Sequence, residues 1–186
     1  MRLPVPRVAP LTDAELSPEA REVLSALPEF ARAFNIFRTQ AHNPDALRAF
    51  LAWGNYVLSA RNSLNERQRE LAILRTGYRC RAGYEWAQHC VIGQRAGISA
   101  VEIDAIKVGP EAPNWVPLEA AILRACDELV GNQFIADSTW AALAPLGDRG
   151  RMDLVYTVGQ YTQVSMLLNA CGVQLDPGLV ADPDFA

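Results

Sequence analysis

Glu66-Arg-Gln-Arg-Glu70-Leu-Ala-Ile-Leu74-Arg-Thr-Gly77-Tyr-Arg-Cys80-Arg-Ala-Gly83-Tyr84-Glu85-Trp86-Ala-Gln-His89-Cys-Val-Ile-Gly93-Gln-Arg-Ala-Gly97 reads as two helices joined by a short connection. Ser63 and Glu66 form a capping-box pattern that opens a helix to about Gly77. Tyr78 to Arg81 make the connection, and the second helix ends near Gly97. On a wheel of about 100° per residue, Ile73, Gly77, Leu74, Tyr78 and Leu71 share an apolar arc. Glu70 falls inside that arc, where a carboxylate needs a partner, a cavity or water. On the second helix Ile92, Ala96, Ala82, Gly93 and Trp86 make the apolar arc, with His89 near its centre. Glu85 stands one turn before His89 on the same face, within hydrogen-bonding reach. The small residues Ala82, Gly93 and Ala96 leave room for close helix packing or for a ligand.

A short connection makes the pair an antiparallel helical hairpin, in which residues equidistant from the turn lie at one height. Glu70 and His89 are symmetric about position 79.5, inside the turn, so they are expected to face each other with Glu85 nearer the connection. A carboxylate holding one imidazole nitrogen sets its tautomer and leaves the other nitrogen to exchange a proton. A second carboxyl in the same pocket then stands ready as an acid. His89 as base, Glu70 as its orienting partner and Glu85 as acid suit proton transfer next to a carbonyl, and so decarboxylation or isomerisation. A buried Glu–His pair can also satisfy only itself and set helix register. The surplus carboxylate of Glu85 argues for a site, because burying it idle is costly.

Outside the hairpin the chain continues as helices. Ser17-Pro18 opens one to about Leu27, stopped by Pro28, and Asn43-Pro44 opens another through about Ser59. Leu47, Phe50, Leu51, Val57 and Leu58 are the candidate core positions of the latter. Ser99 and Glu102 form a capping box for a helix to about Val108. Further helices are expected from about Leu118 to Val130, Ser138 to Ala144 and Arg149 to Cys171, the last closed by Gly172. No segment alternates with period two. The expected fold is all-α and one structural domain: an N-terminal arm and first helix over 1–42, a helical body over 43–172 and a proline-containing tail over 173–186.

Composition narrows the function. The 186 residues are 50% hydrophobic, enough for one ordinary core. No stretch approaches the roughly 20 apolar residues of a membrane span, and the N-terminus lacks a signal-like apolar region. A cytoplasmic location is expected. A net charge of −4 with scattered basic residues argues against nucleic acid, and the mild cluster from Arg75 to Arg81 reads as a solvated helix end. Cys80, Cys90, Cys126 and Cys171 form no Cys-x-x-Cys pair, and His42 and His89 are the only histidines, so no structural zinc site is expected. Neither metal nor organic cofactor is expected.

The segments Glu70-Leu-Ala-Ile-Leu74 and Tyr84-Glu85-Trp86-Ala-Gln-His89 resemble the carboxymuconolactone decarboxylase and alkylhydroperoxidase-D superfamily. The similarity continues through Pro117-Leu-Glu-Ala-Ala-Ile-Leu123 and Asn169-Ala-Cys-Gly-Val-Gln-Leu175. The resemblance implies an all-helical fold and homo-oligomers, commonly trimers or hexamers. In the peroxidase branch a Cys-x-x-Cys pair precedes the histidine, with a glutamate in the proton relay. Those positions fall here on Ala82 and Glu85, so the redox pair is absent, while Glu70 and His89 match the relay. The decarboxylase branch works without cysteines.

The remaining candidates are peripheral. His42 reads as a capping or surface residue, or as a pocket residue if its helix covers the hairpin. Tyr84 lies on the flank away from His89 on the wheel, yet the resemblance places it near the active site. Trp86 reads as core or pocket wall, and Cys90 as a packing residue beside it. Cys80, in the turn near Arg79 and Arg81, is the alternative reactive thiol. Asn169, Gln160 and Gln163 stay undecided between interface and substrate. The function expected is cofactor-free acid–base catalysis on a small carbonyl, lactone or carboxylic compound. The alternatives are a thiol peroxidase using Cys80 or Cys90 and a non-catalytic oligomer.

Overall fold

The computed structural model describes residues 2–113 and 115–185, and the described residues are helical with no strand. Helix α1 (Pro18–Ser25) starts as expected: Ser17 Oγ accepts from Ala20 N at 3.1 Å, with proline in the first helical position. It ends two residues before Leu27. A 3₁₀ turn (Glu29–Ala31) and a six-residue helix α2 (Asn35–Gln40) follow, neither of which the sequence pattern announces. Phe34 precedes α2 and has no capping side chain; Asp176 Oδ1, 141 positions away, accepts the Asn35 N–H at 2.8 Å. A cap borrowed from so far along the chain leaves no local signature.

Helix α3 (Pro44–Val57) is capped by Asn43 and buries Leu47 and Val57, whereas Leu58 stands exposed just past its end. Helix α4 (Glu66–Arg79) opens with a capping box two residues beyond the expected one. Asn65 Oδ1 accepts from Gln68 N at 2.9 Å, and Gln68 Oε1 accepts from Asn65 N at 3.1 Å. Ser63 is taken up elsewhere, its N–H and hydroxyl both donating to Asp153. The helix runs on past Gly77 to Arg79. Cys80, Arg81 in the left-handed region (φ 54°) and Ala82 turn the chain into α5 (Gly83–Arg95).

Helix α6 (Ala100–Val108) begins with the expected Ser99–Glu102 box. Helices α7 (Pro117–Asn132), α8 (Asp137–Ala142) and α9 (Gly147–Cys171) complete the body, and Gly172 (φ 68°) ends α9 as its position foretold. A 3₁₀ turn (Ala144–Leu146) joins α8 to α9.

Helix α4 is the axis of the fold. Arg69 through Gly77 are buried without a break, because α5, α7 and α9 each pack against a different side of it. Gly93 permits the α4–α5 approach: a Cβ there would sit 3.1 Å from Leu74 Cδ1. Arg75, read from the sequence as part of a solvated helix end, is instead only 4% exposed. It forms a two-pronged pair with Asp127 of α7, both contacts at 2.7 Å, and donates to the carbonyls of Ile106 and Lys107 at the end of α6. The tail is equally structural. Asp182 accepts from Trp86 Nε1 at 3.1 Å and pairs with Lys107 at 2.6 Å, and Phe185 packs on the rings of Tyr78 and Trp86.

Candidate active site

Glu70 of α4 and His89 of α5 meet at one height, as the hairpin geometry requires. Glu70 Oε2 lies 2.7 Å from His89 Nδ1, and Glu85 Oε1 lies 2.9 Å from His89 Nε2. All three side chains are buried, at 1%, 5% and 4% exposure for Glu70, His89 and Glu85. Both imidazole nitrogens are therefore occupied, where the sequence suggested that one stays open. Burial alone would push the imidazolium's pKa down, but the carboxylates of Glu70 and Glu85 outweigh it and hold His89 at about 10. The ring of Tyr161 on α9 stands edge-on to the imidazole, 5.1 Å between centroids.

Glu85 and His89 open onto a cavity of about 260 Å³. Its walls are apolar: Phe34, Ile36 and Phe37 around α2, Phe50 of α3, Ile92 of α5 and Val164 of α9. Leu27, Pro28 and Ala31 close one side, so the arm over 1–42 builds part of the chamber. Glu70 does not line it; it supports His89 from behind. Gln88, Asn55 and Gln160 add uncharged polar groups to the lining, which holds no Lys or Arg.

The other candidates separate. Tyr84 lines the cavity despite its flank position on the wheel, and its hydroxyl donates to the buried carboxylate of Asp176. Burial and that carboxylate raise the phenol far above its ordinary range. Gln88 Nε2 donates to the same Asp176 at 2.7 Å. Trp86 belongs to the core with Ile98, Ile106 and Phe185 and does not reach the cavity. His42 is exposed, bonded through Nε2 to the Ala9 carbonyl at 2.9 Å, and is also outside it, because α3 covers the hairpin with its other end.

Cys80 lines a separate groove with Arg2, Arg7, Thr162 and Asn169, whose side-chain amide donates to the Cys80 carbonyl at 2.9 Å. All four cysteines are free. Burial pushes the Cys80 thiol up against the opposing pull of Thr162 and Ser165, and burial together with Asp182 pushes Cys90 up to about 12. Neither thiol is poised as a thiolate. Among the described residues no group of three or more His, Cys, Asp or Glu side chains is arranged to hold a metal ion. No described helix is long and apolar enough to cross a membrane.

Two features of the site escaped the sequence. Asp176 sits in what reads as a tail, yet ties Asn35, Tyr84 and Gln88 together; only its place shortly after the Gly172 stop hinted at a return of the chain. Arg69, next to Glu70, is 8% exposed and forms no ion pair among the described residues, with its Nε unbonded. Its charge acts on Tyr161, partly offsetting the rise in that phenol's pKa caused by burial and the two glutamates.

Residues 44–128, which span the hairpin and its Glu70, Glu85 and His89, match the model of the carboxymuconolactone decarboxylase family. Over that segment, somewhat under half of the chain, the protein is similar to the carboxymuconolactone decarboxylase family. Solved structures agree on the fold. The alkylhydroperoxidase AhpD core of a peroxidase-related protein from Ralstonia eutropha JMP134 superposes with a TM-score of 0.73 at 19% identity, over 91% of this chain and 93% of that one. A peroxidase-related protein from Silicibacter sp. TM1040 gives 0.68 at 16% identity, over 95% and 92%. The debrominase Bmp8, in complex with 2,3,4-tribromopyrrole, gives 0.68 at 17% identity, over 91% of each chain. No curated protein sequence matches the chain. The likeness to these structures speaks for the fold alone.

Proposed function

We propose that the chain is an acid–base enzyme that moves a proton next to the carbonyl of a small, mostly apolar compound held in the cavity. The observation that carries this reading is the placement of Glu85: bonded to His89 on one side and open to the cavity on the other. With His89 held protonated at neutral pH by its two carboxylates, the base facing the substrate is Glu85. This exchanges the roles that the sequence suggested for the two residues.

In the proposed step the Glu85 carboxylate takes a proton from the carbon beside the carbonyl. The C–H electron pair moves into an enolate, whose charge the His89 imidazolium offsets in a site shielded from water. The proton then returns to the same carbon or to another one, giving exchange or isomerisation with no net oxidation. Of the two reactions suggested by the sequence, isomerisation suits the lining better than decarboxylation, because no Lys or Arg is present to hold a substrate carboxylate. The peroxidase alternative draws no support from Cys80 or Cys90, both outside the cavity with raised thiol pKa values. The complex of Bmp8 with a halogenated pyrrole is in keeping with small, apolar ring compounds as ligands for this fold.

A homo-oligomer is part of the proposal, since Met152, Val155, Tyr156 and Met166 leave apolar surface exposed along α9. Sedimentation of a monomer at micromolar concentration would remove that part.

The test is hydrogen–deuterium exchange at the α-carbon of neutral cyclic ketones in D₂O, followed by proton NMR. The protein is expected to accelerate exchange of at least one ketone on the order of 100-fold or more over buffer. His89→Ala is expected to return it to background with the helical circular dichroism unchanged. Normal exchange by this variant would rule out the assignment.

A further inference from the structure

We infer that Gln160, with the hydroxyl of Tyr161 beside it, is the oxygen-recognition point of the cavity, selecting an uncharged ring compound that carries a carbonyl or hydroxyl. The inference rests on the proposed proton-transfer reading and adds the substrate class to it. Gln160 lies on α9, lines the cavity and is only 9% exposed. Its carboxamide makes no hydrogen bond with any described residue, and neither does the Tyr161 hydroxyl, although Tyr161 is 6% exposed. Gln88, by contrast, spends its amide on Tyr84 and Asp176. A polar group held this deep without a partner costs stability unless something enters to bond it.

Shape supports the assignment. Gly54 of α3 presents no side chain to Gln160, and a Cβ built there would stop 3.9 Å from Nε2. The amide therefore stands at the cavity face between α3 and α9, within ordinary contact distance of where a side chain on Gly54 would begin. The cavity of about 260 Å³ exceeds the roughly 150 Å³ of a site that takes benzene and falls short of the ~300 Å³ at which drug-sized pockets begin. One or two fused rings fit. Charge completes the class: Glu85 and His89 are the only charged side chains in the lining, and Glu70 lies behind them, so a substrate carboxylate would face a net negative cluster whose one lining cation, His89, is already bonded to two carboxylates. Burial and the two glutamates also keep the Tyr161 phenol protonated, and so a donor.

Calorimetric titration with 2-indanone, indane and indane-2-carboxylate tests the inference without requiring turnover. The full chain is expected to bind 2-indanone about 10-fold more tightly than indane, and indane-2-carboxylate more weakly than either. Gln160→Leu, and Gln160→Met as a second apolar replacement of similar size, should lose that preference while still binding indane, with unchanged circular dichroism. Equal ketone affinity in wild type and both variants, or no binding of any of the three, overturns the inference. Gln160-dependent binding without α-proton exchange would defeat only the proton-transfer reading; exchange that survives both substitutions with unchanged KM would defeat only the role of Gln160.

Discussion

Glu85 Oε1 and His89 Nε2 stand 2.9 Å apart across one turn of α5, a contact that the i, i+4 spacing makes possible and the hairpin partner Glu70 makes chemically loaded. With a carboxylate on each nitrogen, the ring satisfies both as a doubly protonated imidazolium. The cluster thus holds its mobile proton centrally, and Glu85 is the end that meets the cavity.

Stability should fall with rising pH through this cluster. His89 has a folded-state pKa of about 10, above its ordinary 6.5, so its stabilising contribution is complete below about 6.5 and disappears as the pH rises to about 10. Urea unfolding of wild type and His89→Gln between pH 6 and 10 checks this: the difference between the two should shrink steadily across that window.

Removing the charge of Glu70 while keeping its shape should loosen the hold on that proton. Glu70→Gln is expected to lower the His89 titration midpoint seen by nitrogen-15 NMR and to cut α-proton exchange by roughly 10–100-fold through a positioning effect. An unchanged midpoint would mean that Glu70 does not set the protonation of His89.

The chamber wall depends on the tail. Asp176→Ala strands the Asn35 N–H, the Tyr84 hydroxyl and the Gln88 amide that now donate to one carboxylate. A loss of roughly 2–4 kcal/mol in urea unfolding is expected, with faster amide exchange across α2.

Gly109 carries the bond between three helices. Its φ of 105° is a glycine conformation, and a Cβ would come 2.5 Å from Arg75 Nη2. Gly109→Ala should therefore push Arg75 off Asp127 and cost about 2–4 kcal/mol in thermal or urea unfolding.

Much of this was legible in the sequence, for local reasons. Helix starts at Ser17, Asn43 and Ser99, the stop at Gly172 and the pairing of Glu70 with His89 follow from spacing and capping alone. What was not legible depends on distant groups. Helix α2 borrows its cap from Asp176, Arg75 looks solvated until Asp127 and the end of α6 surround it, and the open Gln160 amide is defined only by the cavity around it. The capping box of α4 slipped from Ser63 to Asn65 because Asp153 competes for Ser63.

One comparison tests whether Glu85 is the group that exchanges a proton with the substrate: α-proton exchange of 2-indanone in D₂O by wild type and by Glu85→Gln, at saturating ketone and neutral pH. The variant keeps the side-chain volume and a hydrogen bond to His89 but cannot take up a proton. A fall of about 10²–10⁴-fold in kcat, with the ketone still bound, is expected. Exchange by Glu85→Gln at the wild-type rate would contradict that role.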